Sequence, residues 1–295
     1  MFQITLDVFS GRENPSSYID GQEARDLVVE ISRNRGALTN ADAGYQGLGF
    51  RGVLIEPTDD AVVRQHDLPS RFKIGGGSSS DETKAQEIAE RLIKSVVKAG
   101  PRDGITFATS FDKTLLEMLA STPVNAFDTE GDPSVTAHPA VAAPAITCNI
   151  EVGVFNPAFW NDPNYIHRNN CYNYASNKRT NTFAQPGRGS GHMYTALTCP
   201  AVTAAALSDG LHHRFDCFPD TEKPRWLVAL VVAPGYDYHW YRKQKEGFWG
   251  HKPGGTEARN YDNNHNTVLN PETCARAPYT DFCGYFYVPK SQKIQ

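Results

Sequence analysis

Residues 226–251 read WLVALVVAPGYDYHWYRKQKEGFWGH, and the reading of the second half of the chain hangs on them. Trp226 to Ala233 is an unbroken apolar run of strand length, as a buried strand requires. Pro234-Gly235 signals a turn, so Tyr236 to Arg242 is predicted to return as a second strand. Phe248 to His251 is predicted as a third, with Lys243 to Gly247 as the hairpin loop. Setting Arg242 opposite Phe248 puts His239 directly opposite His251, on one face, with Cβ atoms roughly 4.5–5.5 Å apart. The same register pairs Tyr241 with Trp249 and lays Trp240 over Gly250. A slip of one residue would send the two imidazoles to opposite faces. Phe282 to Val288 is predicted as a further strand.

Upstream, Asn169-Asn170 precedes Cys171-Tyr-Asn-Tyr-Ala, a cap followed by a short helix. A thiol attacks only as thiolate, and a helix N-terminus or a neighbouring imidazolium lowers its pKa. Cys171 in a first helical turn therefore reads as the nucleophile, His239 as its base and His251 as the residue that orients the base. Free N–H groups at the helix start, with Asn170 and Tyr165, are candidate oxyanion donors. Trp240, Tyr241 and Lys252 are candidates to line the cleft. Taken alone, Cys171 would be read as a packed thiol or half of a disulfide, and the histidines as strand residues.

A helix-borne cysteine, then a strand histidine, then a second histidine about a dozen residues on, resembles the NlpC-type cell-wall peptidases of the papain-like superfamily. The resemblance covers at most residues 148–295 and is one of pattern. Where that family has Asp-Cys-Ser-Gly, this chain has Asn170-Cys171-Tyr172-Asn173, and His239 is followed by Trp-Tyr-Arg. The resemblance implies a papain-like domain with a central antiparallel sheet and hydrolysis of a peptide or amide bond through a thioester on Cys171. The substrate would be a peptide or peptidoglycan-like chain. A deamidase or transpeptidase effector would use the same three residues. The alternative of another class is a secreted, non-catalytic binding protein whose cysteines form disulfides.

The first half alternates strand and helix signals. Phe2 to Phe9, Phe50 to Ile55 and Arg71 to Ile74 read as strands. Asp20 with Glu23 and Ser79 with Glu82 read as capping boxes. The second opens the clearest helix, with Ile88, Leu92, Ile93, Val96 and Val97 at helical spacing and Gly100 closing it. Phe111 to Leu119 is one more helix. Gly47-Leu-Gly-Phe-Arg-Gly52 has the letters of a dinucleotide fingerprint but leads into a strand, so it reads as a plain turn. Residues 121–147, rich in Ala, Pro, Thr and Asp, read as a linker between an N-terminal α+β domain (1–120) of unassigned role and the catalytic domain (148–295). The fold class expected for the whole chain is α+β.

Other features set limits. The chain has 295 residues and a net charge of -4, with no basic stripe that would call for nucleic acid. No apolar run approaches the roughly 20 residues of a membrane span, and no signal peptide is read at Met1 to Val8. The compartment stays open between the cytoplasm and export by a non-classical route. Six cysteines contain no CxxC pair, so neither a structural metal nor a cofactor is expected. With Cys171 free, at most two bridges form. Cys283, the rival nucleophile, reads as a core thiol or as a partner of Cys274. His212-His213 beside Cys217 reads as a surface loop, and His167 and His192 are reserve bases. Residues 183–191, with Arg188, read as a connector or cleft loop.

Overall fold

The computed structural model describes residues 1–100, 107, 109–121, 148–214 and 216–295, and the chain falls into two compact units. Unit 1 comprises Met1–Phe9 and Glu13–Thr129, and unit 2 comprises Ser10–Arg12 and Glu130–Gln295. Both combine helices with a sheet whose named strands pair antiparallel, so the fold is α+β. The linker expected over 121–147 lies, Ser121 apart, outside the described residues.

Unit 1 contains β1 (Phe2–Asp7), β2 (Ser16–Ile19), α1 (Gly21–Arg33), β3 (Leu38–Asn40), β4 (Gly52–Pro57), α2 (Asp60–His66), β5 (Phe72–Ile74), α3 (Glu82–Ala99) and α4 (Phe111–Ser121). The sheet order is β2-β1-β4-β5-β3. Phe2, Ile4 and Leu6 alternate into the core, as period 2 demands. The core face of α3 is Ala85, Ile88, Ala89, Leu92, Ile93 and Val96. Each of the four larger side chains among them contributes about 1.5–3 kcal/mol on burial, and Leu92→Ala would cost about 2–5 kcal/mol.

The helix starts differ from the expected capping boxes. Asp20 makes no side-chain cap on α1. On α3 the cap is Asp81, which accepts from the Lys84 N–H, while Glu82 accepts from the N–H and hydroxyl of Ser79. Gly47 to Gly52 leads into β4, and Arg51 donates to the carbonyls of Gly47 and Gly49. The short β2, β3 and α2 gave no periodic signal.

Unit 2 contains α5 (Pro157–Trp160), α6 (Cys171–Ser176), α7 (Cys199–Ser208), β6 (His212–His213), β7 (Trp226–Ala233), β8 (Asp237–Lys243), β9 (Trp249–His251) and β10 (Asp281–Val288). The sheet order is β6-β10-β7-β8-β9. The hairpin register is offset by two residues from the expected one: Tyr241, not His239, faces His251, and Arg242 faces Gly250. Gly250 therefore does not lie under Trp240. A Cβ there would lie 2.1 Å from the Tyr174 hydroxyl, so α6 fills that space.

Two disulfides staple the unit, Cys148–Cys217 and Cys199–Cys283, leaving Cys171 and Cys274 as thiols. Cys283, expected as a core thiol or a partner of Cys274, is instead bonded to Cys199, joining α7 to β10. Among the described residues no helix is long and apolar enough to cross a membrane.

Candidate functional site: the mouth of helix α6

The cap on α6 is a reciprocal box. The Asn170 side chain accepts from the N–H groups of Tyr172 and Asn173, and the Asn173 side chain accepts from the Asn170 N–H. Asn169 instead ties down the approach, bonding the Tyr165 carbonyl and the Asn181 side chain. All six residues of α6 are buried.

Cys171 sits where expected, with a chemistry opposite to the expected one. Its side chain is fully buried, and the thiol points at the Tyr238 carbonyl, 4.0 Å away. Burial pushes its pKa well above the ordinary thiol value, and the Asp237 carboxylate adds to that. Backbone N–H groups of Trp240 and Cys171 favour the thiolate but do not overcome desolvation.

The two histidines do meet. His239 Nε2 lies 2.9 Å from His251 Nδ1, and His251 Nε2 lies 2.8 Å from the Tyr261 carbonyl. A carbonyl only accepts, so His251 carries its proton on Nε2; neutral His251 then accepts at Nδ1, and His239 donates from Nε2. Burial, aided by Arg259, pushes His251 down to about 3, so it is neutral at ordinary pH. The contact survives the changed register because an offset of two preserves the face.

That face is the one turned from α6. Trp240 and Arg242 pack on Tyr172 and Tyr174 of α6, with ring centroids 5.6 Å apart in the first pair and the guanidinium 4.5 Å over the ring in the second. Alternation along β8 then directs His239 and Tyr241 to the opposite side, beside Tyr279 and His251.

The cleft candidates are spent on structure. Lys252 is buried and donates to the carbonyls of Ile166, Asn169 and Gly254, so it fixes a loop and does not wait for an acidic substrate. Tyr165 carries the Arg179 guanidinium 4.2 Å over its ring. Tyr241 is buried against the Cys274 thiol. The reserve bases His167 and His192 rest on the carbonyls of Gly255 and Ser190. Cys217 and Cys283 are both in disulfides, which removes the rival nucleophile and any metal role for Cys217. Among the described residues no group of His, Cys, Asp and Glu is placed to hold a metal ion.

What fills the mouth of α6 is the segment Ser10-Gly11-Arg12. The Ser10 carbonyl accepts from the N–H groups of Cys171 (3.5 Å) and Gly254 (3.1 Å). The Gly11 carbonyl accepts from Asn170 (2.8 Å), Gln185 (2.7 Å) and the Tyr238 hydroxyl (3.1 Å). The donors expected to steady an oxyanion thus already hold two carbonyls of the chain itself. On the other side, the Asp237 carboxylate accepts from the N–H groups of Ser10 (2.5 Å), Gly11 (3.3 Å) and Arg12 (3.1 Å), and from the Tyr279 hydroxyl (2.6 Å). Burial raises the pKa of Asp237 in spite of these bonds. Sequence reasoning missed Asp237, Gln185 and Tyr279. The one available signal was the Ser-Gly-Arg break after β1, which reads only as a strand end.

No protein-family model matches the chain, and no solved structure matches it. Insoluble matrix shell protein 1 of Ruditapes philippinarum is 48% identical over 140 residues, covering 48% of this chain and 93% of that protein. A relative named for an insoluble shell matrix overturns the expectation of a thiol hydrolase, whether peptidase, amidase or effector. The geometry supplies a physical reason: a thiol sealed from solvent, raised in pKa and facing an occupied oxyanion position is poorly placed to attack a substrate.

Proposed function

Because the chain belongs to the family of insoluble matrix shell protein 1, we propose that it is a non-catalytic, disulfide-stapled component of an insoluble extracellular matrix. The observation that carries this reading is the 48% identity running over 93% of that relative. The two disulfides support it, since such bonds form and persist in oxidising compartments outside the cytosol. So does the sealed site: the polar groups around Cys171 are bonded to one another and act as a core that fixes the sheet against α6.

In this reading unit 2 is a papain-like scaffold given over to packing. The order of helix-borne Cys171, strand-borne His239 and a second histidine on the next strand supports the likeness. The His239–His251 pair and the Asp237 clamp then serve as specific hydrogen-bonded elements that set one arrangement of the core.

Fractionation of the source tissue tests the assignment. The chain is expected in the residue that resists salt and detergent, with Cys148–Cys217 and Cys199–Cys283 found by peptide mapping without reduction. Recovery from soluble cytosol with all six cysteines reduced would sink it.

A further inference from the structure

Residues 151–155 of unit 2 cross the end of the β7–β8 pair and are bonded along one side. The Glu151 N–H donates to the Arg225 carbonyl (2.9 Å), the Gly153 carbonyl accepts from the Lys245 N–H (2.9 Å), and the Phe155 N–H donates to the Glu246 carboxylate (3.1 Å). Isolated parallel bridges tie Glu151 to Trp226 and Gly153 to Gln244. In an extended chain the main-chain groups of successive residues point to opposite sides, so those of Val152 and Val154 face away from the sheet. Among the described residues they bond to nothing. The side chains of Val152 and Val154 are 42% and 60% exposed. Unpaired N–H and C=O groups in a row are a template for another extended chain.

The same surface carries a cation poised for an anion. Asn156 caps α5 by accepting from the Phe159 N–H at 3.2 Å, which folds Phe159 back within one turn. No more than about four residues of extended chain, at roughly 3.3 Å each, cover the distance from Val154 to Phe159. The Arg179 guanidinium lies 4.1 Å over the Phe159 ring and 4.2 Å over the Tyr165 ring, and it donates to the Phe159 carbonyl at 2.6 Å. Held between two rings, it gives up little further rotamer freedom on binding. A guanidinium has five N–H donors; this one uses one within the described residues and meets no carboxylate there. Arg168, exposed, is tied alongside, because its carbonyl accepts from the Phe183 N–H and Asn169 and Asn181 bond each other. The acidic groups of these segments are engaged: Glu151 with Arg225, Glu246 with the Phe155 N–H, and Asp162 with the Asn164 N–H.

We propose that this surface receives an extended acidic peptide segment of a partner protein. The partner's main chain pairs with Val152 and Val154, its apolar side chains lie over theirs, and a carboxylate docks on the Arg179 fork. The open main chain selects a polypeptide over an acidic glycan, which offers no matching row of alternating N–H and C=O groups. The exposed apolar side chains at 152, 154 and 159 fit the same occupant. The inference stands apart from the matrix reading, since the edge and the guanidinium belong to unit 2 in any compartment.

The experiment follows the fluorescence anisotropy of a short dye-labelled peptide of alternating glutamate and valine added to the full chain. Saturable binding that weakens as salt is raised is expected. Arg179→Gln is expected to weaken it roughly tenfold or more. Val154→Pro, which removes an edge N–H, is expected to weaken it as well. Should that variant fail to fold, the wild-type chain is tested with the peptide N-methylated at alternate amides, which cannot pair and is expected not to bind. A peptide with lysine in place of glutamate is expected not to bind either. Absence of saturable binding overturns the proposal, as does binding indifferent to Arg179→Gln or to N-methylation. Binding of polyglucuronate without binding of the peptide also overturns it and assigns the cation to an acidic glycan.

Discussion

The two units both bury ionisable groups, but they neutralise them in opposite ways. In unit 1, Asp7 lies between Arg51 (2.7 Å) and Lys73 (3.3 Å). Burial works to raise its pKa, and the two cations overcome burial and hold it well below the carboxylate range. Charge is met by charge. In the core of unit 2 around α6 burial wins: it pushes Cys171 and Asp237 up and His251 down, so Cys171 and His251 rest in their neutral forms. Perturbed titration in a buried cluster is a common mark of an active site. Here the same signature comes with sealed burial and internal hydrogen bonds, and it marks a packed core.

The comparison is broken most directly at Asp7. Asp7→Ala leaves Arg51 and Lys73 buried without their anion, and unit 1 is expected to lose about 3–5 kcal/mol. Urea unfolding followed by amide exchange should show the loss in β1, β4 and β5 with unit 2 unchanged. Loss spread equally over both units would mean that they do not hold separate cores. Next in size is the staple that only unit 2 has. Cys199→Ser with Cys283→Ser opens a bridge across 84 residues and is expected to cost about 2–5 kcal/mol, read as a lower thermal midpoint for unit 2 alone.

Acid separates the units by pH window. His251 has a folded pKa of about 3 against roughly 6.5 unfolded, so the unfolded chain takes up a proton first. Its contribution is full above pH 6.5 and falls as pH drops below that, by about 2 kcal/mol at pH 5. Asp7 has a depressed folded pKa, so its contribution persists until pH falls below about 4. Unit 2 should therefore weaken before unit 1 on acidification, and His251→Gln should flatten the slope between pH 6.5 and 5. Asp209 and Asp237, raised by burial, act in the opposite sense within the carboxylate range. Unit 1 melting first on acidification would reverse the assignment.

Much of this fold was legible because burial writes period into sequence. The run from Trp226, the alternation from Phe2 and the stripe of α3 all gave their elements to within a residue or two. The Asn170 cap was legible because capping is local chemistry. Register was not, since an offset of two leaves every residue on its face and pattern alone does not distinguish the alternatives. Least legible was the filling of the α6 mouth. Ser10 and Asp237 meet across 227 residues of sequence, and nothing local to Ser-Gly-Arg announces that its backbone fills the start of a helix so far along the chain. The hydrolase expectation failed there: the right residue types in the right order say nothing about whether their donors are already taken.

The smallest change in stability, and the closest test of that lesson, is at Cys171. Cys171→Ala removes one buried sulfur that makes only a long contact, 4.0 Å, to the Tyr238 carbonyl, so it is expected to cost about 1 kcal/mol. The His239–His251 contact should persist unchanged in imidazole nitrogen chemical shifts. Labelling gives the complementary reading. Iodoacetamide reaches only thiolate that is exposed, so Cys171 should react at the rate of global unfolding, while half-buried Cys274, pushed up to about 11, reacts slowly in the native state. Rapid native-state labelling of Cys171 near pH 7, abolished by His239→Ala, would mean that the helix start and the imidazole prevail over burial after all. The contrast drawn between the units would then collapse at the residue that defines it.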